Sequence, residues 1–198
     1  MARNTQPVLK RCRTLGVSPA VMGYSRTSNK NPGGQRRTKK SEYATQLTEK
    51  QKVKFVYGIQ EKQFRAYYEK ASKMSGNTGE ELLTMIERRL DNVVYRLGFA
   101  SARREARQLV NHGHFTVNGK RVNIPSYLIK TGDVIAVCEK SASNAFFKKL
   151  KEDDVFAATP KWLDRDKNTL QGTVIASPAR DDIDFEIAEH LIVELYSK

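Results

Sequence analysis

The chain has 198 residues, 39% of them hydrophobic, which is enough to bury the core of one domain or two small ones and excludes a disordered tail. No run approaches the roughly 18 uninterrupted apolar residues of a membrane helix, and the opening MARNTQPVLKRC lacks the apolar block of a secretory leader. The net charge of +13 lies wholly within residues 1 to 75, which hold 17 basic against 4 acidic residues, while the rest of the chain carries 18 of each.

Residues 1 to 40 contain 10 basic residues and no acidic one, a segment that repels itself unless an anion neutralises it. Polyphosphate backbones and anionic lipid are the abundant candidates. Lipid binding calls for an amphipathic helix with bulky apolar residues, whereas SNKNPGGQRRTKKS offers Gly, Pro, Ser, Asn and Thr, so nucleic acid is favoured. The segment reads as an irregular basic arm that orders on its partner.

From about Thr45 to Lys73, Leu47, Val53, Val56, Tyr57, Phe64, Tyr67 and Tyr68 recur at helical intervals, with Gly58 separating or bending two helices. Lys50, Lys52, Lys54, Lys62, Arg65 and Lys70 fall on their polar faces, and the aromatic residues are read as core. SGNTGEE then resets the chain. Thr78 and Glu81 have capping-box spacing, and Leu82, Leu83, Ile86, Leu90, Val93, Val94 and Leu97 predict one helix that ends at Gly98. Ser101 is placed to cap a second, short helix to about Asn111, with Ala102, Ala106, Leu109 and Val110 inward and Arg103, Arg104 and Arg107 outward.

HGHFTVNGK follows. Gly113 is placed to end the helix, Phe115 and Val117 alternate as a strand, and Asn118-Gly119 signals a type I′ hairpin that carries Lys120 and Arg121 beside the arginine helix. A Pro-bounded loop and a strand at Val134 to Cys138 complete a helix, helix, small-sheet module. Beyond Ser141 the sequence is more acidic and less legible: KEDD, a lone Trp162, a turn-rich stretch, then apolar spacing from Ile183 to Leu195 that fits a closing helix or strand packed on earlier elements.

Little of this suggests catalysis or a metal. His112 and His114 are two ligands where structural zinc needs four and catalytic zinc about three. The two cysteines, Cys12 and Cys138, lie far apart and form no CxxC pair, and no GxSxG or Gly-rich phosphate loop is present. The histidines are read either as a plain helix end or as groups that hydrogen-bond phosphate or stack on an unpaired base. For the arginines the nucleic-acid reading is favoured. Three exposed guanidinium groups with only Glu105 nearby are poorly explained by internal ion pairs, and the planar fork matches phosphate oxygens.

The run LLTMIERRLDNVVYRLGFASARREARQLVNHGHFTVNGKRVNIPSYLIKTGDVI closely resembles the RNA-binding module of the bacterial-type small-subunit ribosomal protein S-four family. EKQKVKFVYGIQEKQFRAYYEKA resembles that family's helical domain, PKWLD its middle region and HLIVELYSK its C-terminus, so the resemblance covers nearly the whole chain. It implies a non-enzymatic, cytoplasmic protein that binds the five-way junction in the 5′ domain of small-subunit rRNA and nucleates assembly of the body. It also implies contact with the protein S-five and influence on decoding accuracy, proximity to mRNA where it enters the subunit, and in many members repression of their own message. The implied RNA surface of the module comprises Arg89, Arg103, Arg104, Arg107, Gln108, His112, His114, Asn118, Gly119, Lys120 and Arg121. Lys50, Lys54 and Arg65 on the helices, and Arg36, Arg37, Lys39 and Lys40 in the arm, add phosphate contacts. Many members bind zinc through four N-terminal cysteines; this chain has only Cys12 there, so a zinc-free variant without cofactors is expected.

The expected fold is α+β, mainly α: a helical N-terminal domain with an inserted module of helix-turn-helix plus small antiparallel sheet. The boundaries are an arm at 1–44, a helical domain at 45–87 completed by 181–198, the module at 88–150, and an extension of it at 151–180. Two other classes stay open. A DNA-binding regulator would also explain basic helices but reads bases from a major-groove helix, usually as a dimer. An RNA-modifying enzyme would keep the module and place a catalytic domain after Ser141.

Overall fold

A computed structural model describes residues 7–26, 41–152, 159–166 and 169–197. The helices in chain order are α1 (Val8–Leu15), α2 (Glu42–Tyr57), α3 (Glu61–Ala71), α4 (Thr78–Glu87), α5 (Leu90–Arg96), α6 (Arg103–Asn111), α7 (Glu139–Ala142), α8 (Ala145–Glu152) and α9 (Glu189–Ser197). The strands are β1 (Phe115–Val117), β2 (Lys120–Arg121), β3 (Val134–Val137), β4 (Leu163–Asp166) and β5 (Gln171–Val174). The fold is α+β and mainly α. Contacts divide it into two units: one takes the chain up to Leu82 and again from Ile183, the other runs from Leu83 to Asp182.

In the first unit Ser41 accepts the Ala44 amide at 3.3 Å and so starts α2 a few residues before the predicted Thr45. Gly58, at φ 62°, ends that helix where its sequence position implied. Val53, Val56, Phe64 and Tyr67 are buried, and Cys12 is fully buried on α1. Helix α9 packs on α2: the Ala188 amide donates to Glu49 at 3.3 Å, Tyr196 stacks on Tyr68 with centroids 4.7 Å apart, and Lys50 lies over the Tyr196 ring.

A single carboxylate clasps these elements. Glu61 accepts hydrogen bonds from Lys54, from Lys50 at 2.9 Å and from the Tyr196 hydroxyl at 2.7 Å. Partial burial pushes this carboxyl up, but the bonds from Lys54, Tyr196 and Lys50 outweigh it and hold the group at about 2. Burial and the adjacent Glu61 push the Tyr196 hydroxyl up in turn. Because the folded value lies below the ordinary 4.5, the clasp stabilises fully above pH 4.5 and is lost as pH falls towards 2. Glu61→Gln should therefore flatten the dependence of stability on pH across that window, read by urea denaturation at several pH values; an unchanged slope would show that the clasp contributes nothing.

In the second unit all strand pairs are antiparallel and the order is β2-β1-β3-β5-β4. Its core gathers Leu90, Leu97, Phe99, Phe115, Phe147 and Trp162. A Cβ at Gly172 would run into the Leu97 side chain, so this glycine permits β5 to lie close to that residue.

Three local expectations are corrected. The single helix predicted through Leu97 is broken into α4 and α5, because Arg89 leaves helical geometry (ψ 137°) to bridge Leu128. The Leu90 amide goes to the Tyr127 carbonyl at 2.8 Å, and the Ile129 amide to Arg88 at 2.9 Å. The start of α4 is capped by Asn77, whose Oδ1 accepts the Gly79 amide at 3.0 Å, rather than by Thr78. At α6 the cap position is Ala102; Ser101 instead receives Glu105, which accepts both its amide (2.7 Å) and its hydroxyl (2.6 Å). In the region read as illegible, residues 139–152 hold α7 and α8, and residues 163–174 hold β4 and β5.

Candidate nucleic-acid interface

The predicted surface is centred on α5 and α6, and the first determinant of its shape is a buried acid. Asp91, in the first turn of α5, accepts Arg89 Nε at 3.1 Å and Nη2 at 2.9 Å, and also Arg107 Nε at 2.7 Å and Nη2 at 2.6 Å. The Asp91 and Arg89 side chains are nearly inaccessible, whereas Arg107 keeps 22% of its surface in solvent. A second buried chain of bonds runs beside it. Glu87 accepts from Arg96 (3.1 and 2.9 Å) and from Asn92 (2.6 Å), and Asn92 Oδ1 accepts Arg103 Nε at 2.9 Å. The Arg103 guanidinium also lies 4.4 Å from the Tyr95 ring centroid.

These contacts correct the outward placement of the arginines. Arg103 and Arg107, one turn apart on α6, point towards Asn92 and Asp91 of α5. Arg103 is buried, Arg107 is half-buried, and Glu105 is turned to Ser101. Arg104 and Gln108 are the exposed polar residues of the trio's helix that face solvent without such ties. Asp91 and Glu87 were missed as determinants; the run ERRLDN carries them, but Arg107 reaches Asp91 only because α6 packs on α5, and Arg96 reaches Glu87 from the far end of α5.

At the C-terminal end of α6, Arg121 Nε donates to the Gly113 carbonyl at 2.8 Å and Nη2 to the His112 carbonyl at 3.0 Å. A guanidinium here satisfies helix-end carbonyls and complements the negative end of the helix dipole. Gly113 (φ 72°) makes this possible, since a Cβ on it would sit 2.5 Å from the guanidinium nitrogens. His112 is exposed; the His114 ring is half-buried 5.9 Å from it, and its Nδ1 lies 2.9 Å from Ser141 Oγ. Burial, then the charges of His112 and Arg121, lower the His114 pKa.

The hairpin turn has φ 50° at Asn118 and 77° at Gly119, as the Asn-Gly pair predicts, and it exposes Lys120. Asn118 is engaged within the fold: Nδ2 donates to Asp133 at 2.8 Å and Oδ1 accepts the Val134 amide at 2.9 Å. The structure thus joins Arg121, His112 and His114 at the end of α6, while Arg104, Arg107, Gln108 and Lys120 lie in the same unit on α6 and the hairpin. In the first unit Lys50 and Lys54 turn to Glu61, and Arg65 is exposed beside Glu69 at 3.2 Å. Arg36, Arg37, Lys39 and Lys40 lie outside the described residues. Among the described residues no cluster of three or more His, Cys, Asp or Glu is arranged to hold a metal, and no helix is long and apolar enough to cross a membrane.

Residues 88–135 match the family model described as "S4 domain", and residues 3–87 match "Ribosomal protein S4/S9 N-terminal domain". Curated relatives called "Small ribosomal subunit protein uS4" are 51% identical in Fusobacterium nucleatum over 198 residues and 63% identical in Caldicellulosiruptor saccharolyticus over 208. A third, from Lachnospira eligens, is 54% identical over 201 residues. In all three, 100% of this chain and 100% of the relative are covered.

Proposed function

Because the chain belongs to the uS4 family of small ribosomal subunit proteins, we propose that it holds its place there by binding the five-way junction in the 5′ domain of small-subunit rRNA. The family is structural and non-enzymatic, with rRNA and neighbouring small-subunit proteins as partners. In this reading the protein nucleates assembly of the subunit body, touches S-five, and contributes to decoding accuracy near the incoming mRNA.

One observation carries the RNA assignment: Arg104 and Lys120 are exposed cations without an acidic partner among the described residues, and they belong to elements that also present Gln108, His112 and the exposed edge of Arg107. Guanidinium and ammonium groups left unneutralised in this way suit phosphate oxygens. Buried Arg89 and Arg103 shape the surface in this reading instead of touching RNA. Arg36, Arg37, Lys39, Lys40 and Arg65 add phosphate contacts, as do Lys50 and Lys54 if RNA competes with Glu61.

The test is binding to the isolated 5′ domain of small-subunit rRNA and to duplex DNA of matched length, each titrated over salt. The expected result is a preference for rRNA by orders of magnitude that Arg104→Ala with Lys120→Ala largely erases. Equal affinities that fade together with salt would report charge alone and overturn the reading.

A further inference from the structure

The matched S4 domain stops at residue 135, yet the chain continues into two helices that dock on the same end of the module. The Cys138 amide donates to the His114 carbonyl at 2.8 Å, and Ser141 Oγ lies 2.9 Å from His114 Nδ1. Phe147, fully buried on α8, meets the His114 ring edge-on at 5.7 Å and the Phe115 ring at 6.1 Å. Phe146 and Leu150 pack against the same core, so one side of α8 is spent on docking.

The other side is basic. Residues 139–152 carry Lys140, Lys148, Lys149 and Lys151 against Glu139 and Glu152, and all four lysines are exposed. Lys140 immediately precedes the residue that meets His114, and Lys148 immediately follows the phenylalanine that does. Neither Lys140 nor Lys148 has an acidic partner among the described residues. Two cations held next to the histidine end of α6, Lys140 beside the Ser141 contact and Lys148 beside the buried Phe147, form a flank to His114 and its neighbour His112.

We propose that α7 and α8 are a second wall of the RNA site, in which Lys140 and Lys148 take backbone phosphates of the same RNA that lies against α6 and the hairpin. This rests on the rRNA reading above. The contacts are to phosphate, so they add affinity and fix the position of the RNA without reading its sequence. The partner is RNA: a protein partner would need an acidic surface matched to this flank, and the neighbouring groups are those that face RNA in the reading above.

The experiment uses the full chain and the isolated 5′ domain of small-subunit rRNA. Lys140→Gln with Lys148→Gln should lower the log-log salt slope of binding by about 2, one for each lost phosphate contact. In the wild-type complex, lysine acetylation should be slowed at positions 140 and 148 and unchanged at exposed Lys161. Unchanged slope and acetylation, with Arg104→Ala and Lys120→Ala still abolishing the rRNA preference, would overturn the second wall and leave the main site standing. Loss of affinity of equal size on duplex DNA, without protection of the two lysines, would also overturn it, because only net charge would have changed. If wild-type protein shows no preference for rRNA, the parent reading fails first.

Discussion

Replacing Asp91 by alanine should cost the second unit about 3–5 kcal/mol of stability, the typical loss when one partner of a buried ion pair is removed. The carboxylate is 3% exposed and holds Arg89, also 3% exposed, through both of its oxygens while meeting two nitrogens of Arg107. Without it the buried Arg89 guanidinium has lost this anion, and Arg107 has lost the partner that fixes its guanidinium against α5. Asp91→Asn should lie between wild type and alanine, because the amide keeps one acceptor but no charge and turns a donor towards donors. Urea denaturation at neutral pH measures both. A loss below about 1 kcal/mol for the alanine variant would mean that water or a shifted side chain takes over the carboxylate's role. The consequence for binding follows from the same geometry. Arg107 should lose its preset orientation, so RNA affinity should fall even in the folded protein.

Gly113→Ala should be the next most costly change at the site, at about 2–3 kcal/mol, from two sources that can be separated. A left-handed conformation costs a non-glycine residue about 1–2 kcal/mol. The new methyl group also lies 2.5 Å from Arg121 Nε and Nη2, so the guanidinium must abandon the carbonyls of Gly113 and His112. In an Arg121→Ala background only the conformational part remains. The double-mutant cycle should therefore show a coupling above about 0.5 kcal/mol by thermal or urea denaturation. Strict additivity would show that Arg121 moves aside without loss.

What could be read from the sequence divides along a physical line. The hairpin at Asn118-Gly119, the helix end at Gly58 and the exit at Gly98 are set by which backbone angles a residue tolerates, and each lies where its local signal put it. The break between α4 and α5 was not legible, because the apolar spacing runs straight through Arg88 and Arg89 and the interruption comes from a bridge to Leu128, far along the chain. Burial of Arg103 was hidden for a similar reason. Its partners Asn92 and Tyr95 sit on another helix, and periodicity on α6 alone places it outside. Strands β4 and β5 read LDRD and QGTV, short and polar, and become strands because β3 offers β5 an edge and β5 in turn offers one to β4. Positions in the site that depend on chain-local chemistry were therefore visible, and those created by one element packing on another were not.

The first unit is built from pieces that the rest of the molecule separates: Glu49 meets the amide of Ala188, and Glu61 meets the hydroxyl of Tyr196. During synthesis, α2 and α3 leave the ribosome with their closing helix still untranslated, while all of the second unit is produced in between. The usual order, in which the N-terminal part folds first, is reversed. The nascent chain must carry Phe64 and Tyr68 without the Tyr196 ring that stacks on them for the time needed to make more than a hundred further residues, a window in which chaperones and proteases compete for it. Lesions in α9 would thus be felt as loss of newly made protein before they were felt as loss of binding.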